Sequence, residues 1–164
     1  MISRRLYRPL LAALAAMVVA TGGAAHASAA APPITVIDAA GRSVTIADDS
    51  RIVSIGGAVT EILYALGLSD RIIADDLTST FPAAAASKPR IGYMRALSAE
   101  GVLSVNPGLV LAVEGSGPPE AIDVLEKAGV PVVLVPEAHD AEGMVRKIEF
   151  VADAVGEHER GVVR

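Results

Sequence analysis

The chain of 164 residues has no cysteine and no tryptophan, and only three tyrosines, two phenylalanines and three histidines. Without cysteine there is neither a disulfide framework nor a thiolate to act as nucleophile or metal ligand. Hydrophobic residues make up 52% of the chain and aromatics 3%, so any core must be aliphatic, built of Val, Ile, Leu and Ala. Catalytic signatures are missing too: there is no G-x-S-x-G, no H-E-x-x-H, no Walker loop and no G-x-G-x-x-G behind a strand. His26 falls in the N-terminal apolar region, His139 in a loop and His158 near the C-terminus. His139-Asp140 is half of a catalytic pair with no activated serine or cysteine beside it, and a solvated loop histidine is the commoner use of that pattern.

Arg4, Arg5 and Arg8 precede an almost unbroken apolar run from Leu10 to Ala20, and Ala25-His26-Ala27 puts small residues where a signal peptidase reads. An export signal is expected over residues 1–27, since the run falls short of the ~20 residues that span a bilayer. Ser3-Arg4-Arg5-Leu6-Tyr7 loosely fits a twin-arginine leader, although an Arg pair in an ordinary leader is the commoner case. Removing those three arginines leaves 11 of the 14 Lys plus Arg against 19 Asp plus Glu, a net charge of −8. Such a surface weighs against nucleic-acid binding. The remaining ~137 residues suffice for one compact domain.

An Ala/Pro-rich linker is expected over residues 28–33, followed by a hairpin. Two β-branched runs, I-T-V-I and S-V-T-I, flank Asp38-Ala39-Ala40-Gly41, which supplies turn chemistry. After that, short apolar strands alternate with helical patterns. The strands are R-I-V-S-I, R-I-I-A, L-V-L-A-V and V-P-V-V-L-V. The helices begin near Ala58, after Ser98, at Pro119 and near Ala141, the last with Met144, Ile148, Val151 and Val155 along one stripe. This alternation predicts an α/β fold with a parallel sheet covered on both faces, and no internal repeat of fixed period is present. In such sheets ligands bind beyond the carboxyl ends of the strands, which directs attention to the loops 56–60, 75–82, 92–97 and 114–119.

Three features of those loops carry chemistry. In R-I-G-Y-M-R-A-L-S a phenol, Tyr93, stands beside Gly92, and in an extended segment Arg95 would point the same way. A phenolate suits ferric iron, and a nearby cation helps it ionise, yet an isolated tyrosine more often packs or hydrogen-bonds than ligates a metal. In E-G-S-G-P-P-E, Ser116 and Gly117 precede a helix whose N-terminal amides would suit a carboxylate. The same residues more often form only an ordinary strand-to-helix turn. Glu61 is placed at the start of a helix directly after Gly56-Gly57, where the helix dipole favours a carboxylate, with or without a further role.

The order of V-S-I-G-G-A-V-T-E-I-L-Y-A-L-G, T-S-T-F-P, I-G-Y-M-R-A-L-S-A-E-G-V-L-S-V-N-P-G-L-V-L-A and E-G-S-G-P-P-E closely resembles the periplasmic haem-binding proteins that serve ABC importers. The resemblance runs from about Ile34 to the end. It implies a two-lobed, helix-linked substrate-binding protein, with an N-terminal lobe over 34–140 and the start of the inter-lobe helix over 141–164. The C-terminal lobe would be missing, and G-E-H-E-R-G-V-V-R reads as the end of a truncated product or fragment. By the resemblance, haem is the transported ligand. Tyr93 is the axial ligand of its iron, Arg95 the supporting cation, and Ser116 and Gly117 line the pocket. Glu61 docks on the haem permease, which works with its ATPase. A monomeric, non-enzymatic protein of the periplasm is expected. Alternatives are the same fold holding a ferric siderophore or cobalamin, an exported α/β hydrolase using Ser116, and a non-functional fragment.

Overall fold

The structure is a computed structural model that describes residues 32–162; the expected export signal and most of the expected linker lie outside the described residues. The hairpin comprises β1 (Ile34–Ile37) and β2 (Ser43–Ile46), paired antiparallel with Ile34 opposite Ile46. The chain then alternates through β3 (Ile52–Ile55), α1 (Gly57–Ala65), β4 (Ile72–Asp75), a small hairpin of β5 (Gly92–Tyr93) and β6 (Ala96–Leu97), α2 (Ala99–Leu103), β7 (Leu109–Val113), α3 (Pro119–Lys127), β8 (Val132–Val135), α4 (Ala141–Ala154) and α5 (His158–Gly161). Strands β3, β4, β7 and β8 form a four-stranded sheet in the order β4-β3-β7-β8, parallel at every pairing.

These strands read as unbroken apolar runs because the period of two sends alternate side chains into two separate cores. Ile52, Leu109, Leu111, Val113, Val133 and Val135 face α1, α4 and the first hairpin. Val53, Ile55, Val110, Ala112 and Val132 face α2, α3 and the β5–β6 hairpin. All residues of β3 and β7, the two inner strands, are buried. The result is the helix–sheet–helix sandwich expected from the sequence.

The first hairpin closes one edge of the sheet. Ala39 N donates to Leu134 O at 2.8 Å, Leu134 N donates to the buried Asp38 Oδ2 at 3.3 Å, and Arg42 Nη2 reaches Val132 O at 3.3 Å. Val132 O and both backbone groups of Leu134 are thereby occupied, which protects the edge from pairing with another chain.

Helix starts and stops follow their local chemistry. Ser98 Oγ caps α2 by accepting from Gly101 N at 3.2 Å, and Asp140 Oδ1 caps α4 by accepting from Gly143 N at 2.6 Å. Helix α4 does not run on to the C-terminus. Gly156, at φ 70°, ends it in a Schellman motif, with Glu157 N on Ala152 O at 2.8 Å and Gly156 N on Asp153 O at 3.2 Å. Helix α5 then packs so close to α4 that a Cβ on Gly161 would overlap Ala152. Three of the four expected stripe residues on α4 pack on the core, Val151 and Val155 buried and Ile148 partly so, while Met144 is 40% exposed and Lys147 takes an interior place at 1%.

Candidate ligand-binding site

The carboxyl edge of the sheet is a rim of three segments tied by backbone hydrogen bonds. Leu77 N, in the loop after β4, donates to Gly92 O at 2.8 Å; Gly117 N donates to Met94 O and Leu97 N to Gly117 O, both at 2.9 Å. The β5–β6 hairpin is therefore held on one side by the Asp75–Pro82 loop and on the other by the Glu114–Pro118 loop. Tyr93 sits in the middle of this rim. It is 45% exposed, and its phenol makes no hydrogen bond to any described residue.

Arg95 does not lie in the extended segment that was expected. The segment is a tight hairpin in which Met94 and Arg95 form the turn and Tyr93 pairs with Ala96. The left-handed backbone of Gly92, φ 104°, and the reversal at 94–95 break the two-residue alternation on which a side-by-side Tyr93 and Arg95 depended. The guanidinium lies over the neighbouring loop, its Nη1 3.8 Å from where a Cβ of Gly115 would be.

The anion-cradle reading of E-G-S-G-P-P-E is also corrected. Ser116 N and Oγ both bond to Val113 O, at 3.0 and 2.7 Å, and Gly117 N is taken by Met94 O. Pro118 and Pro119 have no N–H to offer. Ser116 thus spends its donors on the end of β7 and Gly117 its N–H on the hairpin, with Gly117 buried beneath it.

Glu61 lies one turn further along α1 than expected. Gly56 is the N-cap at φ 103°, and the first turn contains no acidic residue, so the dipole gives Glu61 little support. It is exposed on a groove between α1 and α4, lined also by Ala58, Ile62, Phe81, Met144, Ile148 and Arg160, and makes no ion pair among the described residues. Gly56 and Gly57 themselves serve close packing. A Cβ on Gly56 would stand 2.8 Å from Val113 Cγ1, and one on Gly57 2.8 Å from Thr78 O.

A buried polar network beneath the rim was not anticipated. Asp76, fully buried, accepts from Gly56 N at 2.9 Å, Ser79 Oγ at 3.0 Å and Thr78 N at 3.1 Å. Ser79 continues through Thr60 to Ser54 at 2.7 and 2.6 Å. Arg90 Nη1 donates to Asp76 O at 2.6 Å and Ser79 O at 3.0 Å. This network makes the Asp75–Pro82 loop a rigid part of the scaffold. The signal available in the sequence was Asp75-Asp76 at a strand end with Thr78, Ser79 and Thr80 beyond Leu77.

Two further charged groups complete the edge. Asp75 is fully buried, with Arg90 Nη1 3.0 Å away but neither carboxylate oxygen in a hydrogen bond. Burial is the main cause of a pKa pushed up to about 6; Arg90 opposes it and the Asp76 charge adds to it. At the β8 end, Lys147 Nζ donates to Glu137 Oε1 at 2.5 Å. Burial pushes the Glu137 carboxyl up, but the Lys147 hydrogen bond and the Ala138 N–H hold it below the ordinary glutamate value. Among the described residues no group of three His, Asp or Glu side chains is placed to hold a metal ion, and no helix is long and apolar enough to cross a membrane.

A parallel sheet with a rigid carboxyl-edge rim defines a binding scaffold, and residues 52–162 match the family of periplasmic binding proteins. The chain belongs to that family. It is 35% identical over 127 residues to the uncharacterized ABC transporter substrate-binding lipoprotein YvrC of Bacillus subtilis, covering 76% of this chain and 40% of that protein. The periplasmic heme-binding protein RhuT from Roseiflexus sp. RS-1 superposes with a TM-score of 0.66 at 42% identity, over 70% of this chain and 44% of that one. The periplasmic heme-binding protein BhuT, solved with two hemes, gives a TM-score of 0.66 at 45% identity, over 68% and 43%. The chain spans less than half the length of each of these three proteins.

Proposed function

We propose that this chain binds haem in the periplasm and passes it to the permease of an ABC importer. The observation that carries this reading is the Tyr93 phenol. It is exposed, free of hydrogen bonds and mounted on a hairpin fixed from both sides. The likeness to heme-binding proteins at 42% and 45% identity supports it. A lone phenolate does not make a metal site, but it completes one when a porphyrin supplies the other donors, and tyrosine is a known axial ligand of ferric haem. Iron held in a tetrapyrrole therefore fits the single donor better than a free ion does.

In this reading Tyr93 ligates the iron. Arg95, turned towards the Glu114–Pro118 loop, is a rim cation suited to a carboxylate of the ligand more than to the phenolate. Gly117 contributes by holding the hairpin, and Ser116 and Gly117 bound the pocket. Glu61, an exposed carboxylate beside an apolar groove, is the docking residue for a cation of the permease, whose ATPase drives transport. The protein acts as a monomer by binding and handing over, without catalysis.

Absorption spectra on addition of hemin test the assignment. The unsubstituted protein is expected to give a high-spin ferric spectrum with a phenolate-to-iron charge-transfer band, and Tyr93→Phe to lose that band. A spectrum unchanged by the substitution would overturn the Tyr93 assignment.

A further inference from the structure

The loop after β4 holds a second feature that its rigidity makes informative. Leu77 is 56% exposed and Phe81 64%. Mobile loops can fold such side chains inward at little cost, but this loop is clamped by Asp76, Thr78, Ser79 and Arg90, so both are held in water. The two face different surroundings. Phe81 lines the α1–α4 groove with Ala58, Ile62, Met144 and Ile148. Leu77 instead has its backbone bonded to Gly92 O, immediately before Tyr93. Gly92 leaves open space there: a Cβ added to it would meet only Ala96 O, at 3.9 Å. Leu77 and Tyr93, both exposed, are thus joined through the bare backbone of Gly92 in one ledge of the rim.

We propose that Leu77 is a specificity-determining residue that seats the flat, apolar body of the ligand over Gly92 while Tyr93 takes its metal. The proposal rests on the haem reading and deepens it, because it says how the site would prefer an apolar macrocycle over a hydrophilic iron chelate. A macrocycle laid on the ledge removes the exposed Leu77 surface from water, and an isobutyl group so covered strengthens binding by roughly tenfold or more. A polar iron chelate gains nothing from the same contact.

The test compares Leu77→Ser with Phe81→Ser. Both remove an exposed apolar side chain from the same loop, so neither should disturb folding, which thermal unfolding checks. Leu77→Ser is expected to weaken hemin binding about tenfold while keeping the phenolate charge-transfer band, and Phe81→Ser to bind as the unsubstituted protein does. Ferrichrome, a hydrophilic ferric siderophore, should discriminate no further between Leu77→Ser and the unsubstituted protein. Unchanged hemin affinity in Leu77→Ser, or an equal loss in Phe81→Ser, overturns the inference. Failure of the unsubstituted protein to give a Tyr93-dependent hemin spectrum overturns the haem reading itself, which separates the two.

Discussion

Asp75 is the residue whose removal should improve the fold. Its carboxylate is fully buried at the end of β4, has no hydrogen bond, and has one guanidinium nitrogen of Arg90 3.0 Å away. Its pKa is raised from 3.8 to about 6, so the folded state holds this proton more tightly than the unfolded chain does. The sign follows from linkage: a raised carboxyl pKa gives stability that is present below about pH 4 and lost as pH rises through about 6. Two pKa units at ~1.36 kcal/mol each put the loss near 3 kcal/mol. Asp75→Asn keeps the shape and removes the charge. Arg90 retains its bonds to Asp76 O and Ser79 O and is 26% exposed, so it tolerates the lost partner. Urea unfolding followed by circular dichroism from pH 4 to pH 8 isolates the effect, because other titrating groups cancel in the difference between the two proteins. The variant is expected to match the original at pH 4 and to exceed it by about 1 to 3 kcal/mol at pH 8. A variant that is less stable at pH 8, with the same pH slope as the original, would show that the Asp75–Arg90 pair is net stabilising and refute the reasoning.

Two other substitutions probe the scaffold. Lys147 is 1% exposed and its hydrogen-bond partner Glu137 is 40% exposed at the side chain, so Glu137→Gln, which strands a buried cation, should cost about 3 kcal/mol. Lys147→Met, which leaves only a solvated carboxylate, should cost less than half of that; equal losses by urea unfolding would contradict the asymmetry. Gly56→Ala places a methyl 2.8 Å from Val113 Cγ1 on backbone at φ 103°, and should destabilise by about 2 kcal/mol or more; a loss under about 0.5 kcal/mol in thermal unfolding would mean that the turn rearranges.

The layer architecture was legible in the sequence because parallel strands buried on both faces leave a strong mark: four short apolar runs separated by helical patterns and turn residues. Gly67, Gly129 and Gly156, all at positive φ, end α1, α3 and α4, and the last of them stops α4 short of the helix expected over 141–164. The rim was legible in outline only. Tyr93 could be singled out as a scarce phenol at a strand-end loop, but its relation to Arg95 depended on whether 92–97 was extended or reversed, and two-residue strands are too short to show a period. Glu61 was displaced by a single turn because the N-cap is a glycine without a side-chain signal. Asp75, Asp76 and Lys147 escaped notice for another reason. Sequence patterning assigns charged residues to the surface, whereas here partners distant in sequence, such as Gly56 for Asp76 at 2.9 Å, make interior places for them.

Those interior charges and hydroxyls explain why a core of small aliphatic residues can support a defined binding rim. Aliphatic packing is non-directional and tolerates small shifts of its members, so it does not by itself set the height of a loop above a sheet. The Asp76 hydrogen bonds do, since each has a fixed length and angle and leaves a costly unsatisfied group when broken. They join the start of α1, through Gly56 and Thr60, to the loop after β4. Leu77 N then passes the restraint to Gly92 and so to Tyr93, while Gly117 holds the opposite side of the same hairpin. The exposed Tyr93 phenol is thus positioned by a polar framework anchored on three of the four strands of the sheet, and the cost of burying that framework, felt most sharply at Asp75, is the structural counterpart of a rim that does not yield.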